Sequence, residues 1–344
     1  MAGMLATCHP GCESHLAREL AGSGNAIRAS GAGWVDAAEA AAAAVPESAF
    51  AHWLLPAAQE LTGGAVNALA RQAVDYFSAA LGEERIVTAW PCAWTAAGAD
   101  PGLARRAAAV RKTFRELLRR RRARVAGLAT PELPCGAGLA RGLFVVFTAF
   151  DRAWIAREAV LGGQRRMADN PAAPSRSYLK VEEAYGLLGV EPQAGETVAD
   201  LGAAPGGWSY SAARRGARVV AVDHGPLKGG AHGHPLITHR REDAFHFRPE
   251  AGARFDWLFC DLIEEPHHVL HDLVAPWLQR RWCRRFVVNL KFGRTDPVAL
   301  LGELRAPSSP VVAHAAACRI RHLYHDREEF TVVGTVGAPP SVRA

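Results

Sequence analysis

Apolar and polar positions divide the chain into elements before any chemistry is considered. Near the start, Leu5 to Leu20, LATCHPGCESHLAREL, reads as a strand, a Pro-Gly turn and a helix. The alanine-rich stretch Asp36 to Val45 predicts a helix. Further on, Ala65–Leu81 predicts a helix, Arg85–Trp90 a strand, Leu103–Arg124 a second helix and Leu143–Phe150 a strand. Strands mixed with helices, without a glycine-rich ligand loop, predict an α+β binding module for this half. Met167 to Arg176, MADNPAAPSR, is a polar, proline-bearing linker and the expected domain boundary.

After the linker, SYLKVEEAYGLLG predicts a helix leading into a sheet domain. Strands are expected at Val198–Leu201, Arg218–Val222, Leu236–Thr238, Phe255–Cys260, Phe286–Leu290, Val311–Ala317 and Glu329–Val333. Helical stretches separate most of the earlier ones, the pattern of a doubly wound α/β sheet. The last two lie close together and predict an antiparallel hairpin at the sheet edge.

Thr197 to Tyr210, TVADLGAAPGGWSY, predicts a strand, a tight turn and a helix. Gly202, Gly206 and Gly207 let a backbone pass close to a ligand, and Pro205 suits a helix start. A dinucleotide site needs G-x-G-x-x-G to seat a pyrophosphate. Here the glycines fall as G-x-x-x-G-G, with Asp200 two residues before the first. S-adenosylmethionine suits this loop better, because it has no phosphate and its cationic end would sit well near Asp200. A generic glycine-rich turn is the plainer alternative.

Composition bounds the class. The chain has 344 residues, of which 49% are hydrophobic and 22% charged, as in a soluble globular protein of two or three domains. No apolar run approaches the roughly 18 residues of a membrane span. The N-terminus lacks the pattern of a secretory signal. Seven cysteines without C-x-x-C pairs point to reduced thiols and a cytoplasmic location. The formal charge of +6 favours a polyanionic partner. Between Arg105 and Arg124 ten basic residues face one acid, Glu116, and apolar residues interleave at helical spacing. Arg115, Arg119, Arg120, Arg121 and Arg122 are therefore candidates to bind the phosphates of such a partner, against the alternative of a merely solvated face.

Only four of the 40 basic residues are lysine: Lys112, Lys180, Lys228 and Lys291. Arginine stays protonated in a protein, whereas a desolvated lysine can lose its proton. Lys291 ends the strand FVVNLK and Asp261 ends FDWLFCD, while Asp223 ends VVAVD and Asp243 follows the third strand. In an open α/β sheet all four would sit at the ligand-facing strand ends. Asp223 could accept from ribose hydroxyls and Asp243 from an adenine amino group. A helix cap is the plainer role for any one such acid, and an ion pair with Asp261 the plainer role for Lys291.

Rival constellations are weaker. Pro91-Cys92 and Pro134-Cys135 precede the glycine loop, which is the wrong place for a base-attacking cysteine. His267, His268 and His271 lack a completing ligand, and Cys8 and Cys12 lack a second pair, so no metal site is expected.

The order SRSYLK, DLGAAPGGW, VVAVD, CDL, NLK and HDREEFTV resembles the FtsJ-like ribose 2′-O-methyltransferases of RNA. The resemblance runs from about Ser175 to Val336. It implies a Lys–Asp–Lys–Glu tetrad at Lys180, Asp261, Lys291 and Glu329. It also implies S-adenosylmethionine binding by Ser177, Asp200, Gly202, Ala204, Pro205, Gly206, Gly207, Trp208, Asp223, Asp243 and Asp261. PSRSYLKVEEA, REDAFHFRP and LYHDREEFTV are similar to the bacterial members that methylate a cytidine ribose in large-subunit (23S) ribosomal RNA. That branch implies a ferredoxin-like region over residues 1–60, a THUMP-like RNA-binding domain over 61–166, and a Rossmann-like methyltransferase domain with a mixed seven-stranded sheet over 171–344. Ribosomal RNA is the implied partner, without a membrane or an obligate protein partner. In such an enzyme Lys291 would take the proton of a 2′-hydroxyl, its neutral form favoured by burial and by Lys180, while Asp261 and Glu329 would orient the amines. Methylation of a different RNA, or a non-catalytic RNA-binding or ribosome-assembly role, are the alternatives.

Overall fold

The computed structural model describes residues 3–38 and 47–337. The chain divides into two units, Met1–Gly163 and Gln164–Ala344.

In the first unit, β1 (Gly3–Thr7) leads into α1 (Glu13–Gly22), followed by β2 (Ala26–Gly31), β3 (Trp34–Ala38) and β4 (Trp53–Thr62). Then come α2 (Val66–Leu81), β5 (Trp90–Ala96), α3 (Pro101–Arg121), α4 (Ala123–Gly127), β6 (Ala129–Thr130), β7 (Gly138–Ala149) and β8 (Arg152–Leu161). The strands form one sheet in the order β2-β3-β1-β4-β8-β7-β5-β6. Leu143, Val145, Phe147, Ala153 and Ile155 pack with α2 and α3 in one core cluster. Their neighbours Phe144, Val146, Trp154 and Ala156 belong to another. Both faces of β7 and β8 are thus covered, and neither strand shows a polar-apolar alternation.

Several expectations change here. Arg85–Val87 is irregular, and the strand begins at Trp90. Strand β5 takes Pro91 at its start, where a missing N–H costs least, and pairs with β7 from Cys92 onward. A helix is expected over Asp36–Val45, but Asp36–Ala38 belong to β3, which pairs with β1; positions 39–46 lie outside the described residues. The boundary expected between residues 60 and 61 falls within β4.

Helix α3 follows its sequence pattern closely. Asp100 caps it by accepting the Gly102 N–H, and Pro101 occupies the first turn. Leu103, Ala107, Val110, Phe114 and Leu118 form its buried stripe. Arg115, Arg119, Arg120, Arg121 and Arg122 are all exposed. Arg121 pairs with Asp75 of α2 at 2.5 Å.

The second unit begins with α5 (Tyr178–Leu188), β9 (Thr197–Leu201), α6 (Gly207–Ala213), β10 (Arg218–Val222), β11 (Ile237–Arg240) and β12 (Phe255–Cys260). A helical run follows, α7 (Pro266–His268), a π-helical segment Val269–Val274 and α8 (Ala275–Gln279). The unit closes with β13 (Cys283–Lys291), α9 (Pro297–Arg305), α10 (Pro310–Ala313), β14 (Ala315–Arg321) and β15 (Glu329–Val336). Its seven-stranded sheet has the order β11-β10-β9-β12-β13-β15-β14. Strands β9 to β13 are parallel, and β15 is antiparallel to both neighbours. This is the Rossmann-like mixed sheet, with the expected hairpin at its edge. The strand expected from Val311 starts at Ala315, because Pro310 opens a helical turn before it. The strand order reverses between β9 and β12, so ligands belong at the carboxyl ends of these strands.

Candidate active site

The tetrad residues converge from four elements. Lys180 lies in the first turn of α5, Asp261 directly follows β12, Lys291 ends β13 and Glu329 opens β15. Antiparallel register sets Lys291 opposite Glu329, and Asn289 opposite Thr331 two residues on. The period of two along a strand puts these pairs on one face. Lys291 Nζ lies 2.5 Å from Asp261 Oδ1 and 3.7 Å from Glu329 Oε2. Lys180 Nζ lies 2.6 Å from Glu329 Oε1 and 3.9 Å from Asp261 Oδ1. Two ammonium-bearing chains and two carboxylates therefore alternate.

Their environments differ. Burial opposes the charge on Lys180, but Asp261 and Glu329 outweigh it and hold the ammonium above the usual lysine range. Burial would raise the Glu329 carboxyl, yet Lys180, Lys291 and the Arg327 N–H keep it below the usual carboxylate range. The Lys291 side chain is 22% exposed, against 12% for Lys180. Beside Lys291 opens a cleft of about 820 Å³, lined by Ile263, Glu265, Phe292, Arg294, Arg327 and Glu329 among others.

The glycine loop lies at the end of β9. Asp200 is 1% exposed. Its Oδ2 accepts from Ser209 Oγ at 2.6 Å, while its Oδ1 has no hydrogen-bond partner among the described residues. Burial, with Asp261 and Asp223 nearby, pushes its carboxyl up to about 7. The glycines are demanded by the protein itself. Gly202 and Gly206 have φ of +78° and +104°, and a Cβ there would meet Leu262 at 2.7 Å or Ala231 at 2.5 Å. The Ala204–Pro205 peptide is cis, and α6 starts at Gly207 rather than at the proline.

Asp223 Oδ2 accepts the Ala204 N–H at 3.0 Å and Oδ1 the Gly225 N–H at 2.7 Å, so the second strand end braces the loop. Ser177 precedes α5; its Oγ lies 2.7 Å from Ser175 Oγ and its carbonyl accepts from the Trp208 indole at 2.9 Å. Trp208 is 3% exposed and packs edge-on against Phe259. Asp243 caps its own turn, accepting from Phe245 N–H at 2.9 Å, with His246 beside it. Phe245 stacks on His268 at 4.2 Å.

No group of three metal-ligating side chains occurs among the described residues. His267 instead bridges Glu265 and Glu303, and His268 pairs with Asp272. Cys8, Cys92, Cys135, Cys260 and Cys283 are free thiols. No helix among the described residues is long and apolar enough to cross a membrane.

Residues 173–278 match the FtsJ-like methyltransferase family. The second unit carries an FtsJ-like methyltransferase domain. The chain is 45% identical over 169 residues to the ribosomal RNA large subunit methyltransferase M of Laribacter hongkongensis, covering 46% of this chain and 47% of that protein. It is 40% identical over 208 residues to the protein of the same name from Chromohalobacter salexigens, covering 56% and 57%. The chain thus spans about half the length of the curated relatives it matches. The cofactor of an FtsJ-like domain is S-adenosylmethionine. The residues present fit it, because the loop end offers a buried carboxylate oxygen, Asp200 Oδ1, without a hydrogen-bond partner among the described residues, and a cation beside it would favour the ionised form.

Sequence reasoning missed a layer behind the tetrad. Asn289, Thr331, Asp326 and Glu183 are buried and polar. For Asn289 and Thr331 a signal exists: each stands two positions from a tetrad residue on the same strand.

Proposed function

We propose that the chain transfers a methyl group from S-adenosylmethionine to a ribose 2′-hydroxyl of RNA, and that the acceptor is a cytidine of large-subunit (23S) ribosomal RNA. The observation that carries the reaction class is the alternation of Lys291, Asp261, Lys180 and Glu329 beside an open cleft. The names of the relatives support the RNA class. Asp200, the Ala204–Gly207 turn, Asp223, Asp243 and Ser177 would hold the cofactor. Bound there, it supplies an electrophilic methyl group on a sulfonium sulfur.

The chain must then align the hydroxyl and remove its proton. Lys180 is unsuited to that task, since Asp261 and Glu329 keep it protonated. It serves as a fixed cation that orients Glu329 and Asp261. Lys291 borders the cleft and is the proton acceptor in this reading; Asp261, 2.5 Å away, aims its Nζ. Arg294 and Arg327, lining the same cleft, offer guanidinium groups to the phosphates flanking the target ribose. In the first unit, Arg115 and Arg119–Arg121 of α3, with Arg122 just after it, supply a cationic stripe for RNA. That unit would comprise the ferredoxin-like and THUMP-like regions.

Single-turnover methyl transfer by Lys291→Arg and Lys291→Ala tests the assignment. Arginine keeps the charge but offers no accessible neutral amine. Both variants should lose about 10²–10⁴ in rate with cofactor and RNA binding retained. Near-parental rates would remove Lys291 from the role. Mapping 2′-O-methyl positions in ribosomal RNA with and without the gene tests the acceptor.

A further inference from the structure

Asp326 lies in the turn between β14 and β15, 2% exposed, and the reaction above does not use it. Its hydrogen bonds determine its protonation state. Both of its oxygens lie within reach of Thr331 Oγ1, Oδ1 at 3.2 Å and Oδ2 at 3.0 Å. Thr331 Oγ1 also lies 2.7 Å from Asn289 Oδ1, and Asn289 Nδ2 lies 3.2 Å from Asp261 Oδ1.

Asp261 faces two lysines and is an acceptor. The amide of Asn289 must therefore turn its NH₂ to Asp261 and its carbonyl to Thr331. Thr331 has one proton, and it goes to that carbonyl. The contact between Thr331 and Asp326 then needs a proton from Asp326. The proton can sit on either carboxyl oxygen: Oδ2, which also accepts the Leu323 N–H at 2.8 Å, lies nearer to Thr331 than Oδ1 does.

We propose that Asp326 is a neutral carboxylic acid and a positioning residue that orients Asp261 through Thr331 and Asn289. The proposal rests on the tetrad reading above. The surroundings agree with it. Burial and the Glu329 carboxylate push the Asp326 carboxyl well up, with Glu183 of α5 adding to the effect, while the Leu323 N–H and Lys180 oppose it. The charge balance explains why a neutral acid is wanted. With Asp326 neutral, two lysines face two carboxylates. An ionised Asp326 would add a third beside Glu329 and oppose loss of the Lys291 proton. The chain of donors runs one way, from Asp326 to Thr331 to Asn289 to Asp261, and fixes the oxygen that faces Lys291.

The experiment is carried out on the full chain. Carbon-13 signals of aspartate carboxyls are followed by NMR, the Asp326 signal being assigned by its loss in Asp326→Asn. It should stay protonated from about pH 6 to pH 8; ionisation in that range overturns the proposal. Single-turnover methyl transfer to a 23S ribosomal RNA transcript is measured beside cofactor affinity. Asp326→Ala and Thr331→Val should each lose about tenfold in rate with cofactor affinity unchanged. Asp326→Asn, whose NH₂ can replace the acid proton, should recover most of that loss with the parental pH profile. A rate for Asp326→Asn as low as that of Asp326→Ala, or a parental rate in Thr331→Val, overturns the relay. If the unsubstituted chain transfers no methyl group, the tetrad reading fails by itself, and the carboxyl titration still supports or overturns a neutral Asp326.

Discussion

A ligand cation beside Asp200 would couple binding to pH, because that carboxyl is buried. Its folded value of about 7 lies above the ordinary 3.8. Between these values the folded state binds more protons than the unfolded one, so stability falls as pH rises. The contribution of Asp200 is fully present below about 3.8 and is lost as pH rises through about 7. A cationic ligand beside the carboxylate favours the ionised form and should expel the proton. Binding of S-adenosylmethionine at about pH 7 should therefore release up to about half a proton per molecule. Calorimetry in two buffers of different ionisation enthalpy reads this directly, and Asp200→Asn should abolish the buffer dependence. Equal heats in both buffers for the parent chain would place the cation away from Asp200.

At the scale of elements, helix α3 separates structural from available charge. Arg106 is spent on the carbonyls of Phe150 and Gly64, and Arg121 on Asp75. Arg115, Arg119, Arg120 and Arg122 are the better test set. Changing all four to glutamine should weaken RNA binding and flatten its salt dependence, by about 0.7 in slope for each phosphate of single-stranded RNA that is no longer neutralised. Cofactor affinity should not move. An unchanged slope in a salt titration would assign RNA binding to another surface. The same helix was legible in the sequence because one face is dry and the other wet, which leaves a 3.6-residue period. Strand β8 was not legible. Trp154 and Ile155 are buried on opposite faces of the sheet, in separate clusters, so no alternation survives to be read. The tetrad was legible because each member stands at a strand end or helix start within a motif. Asp326 and Glu183 were not. Their partners are backbone N–H groups of irregular segments: Glu183 accepts from Arg165, Tyr324 and His325, and Asp326 from Leu323.

On the scale of the whole molecule, each unit has its own sheet and its own buried clusters. Expressed from Gln164 onward, the second unit should therefore fold and bind S-adenosylmethionine with near-parental affinity, while affinity for ribosomal RNA drops. Loss of cofactor binding in that fragment, measured by calorimetry, would show that the methyl-donor site depends on the first unit. The first unit behaves differently towards a cut. Strand β4 pairs with β1 along one edge and with β8 along the other, and residues on both sides of position 60 take part in the second pairing. A break at 60/61 would thus sever a strand with neighbours bonded on each flank. Exchange of parts between related proteins has a natural joint at 163/164 and none at 60/61. A hybrid joined at the former inherits an intact sheet from each parent, whereas one joined at the latter must knit two ancestries together inside a single strand.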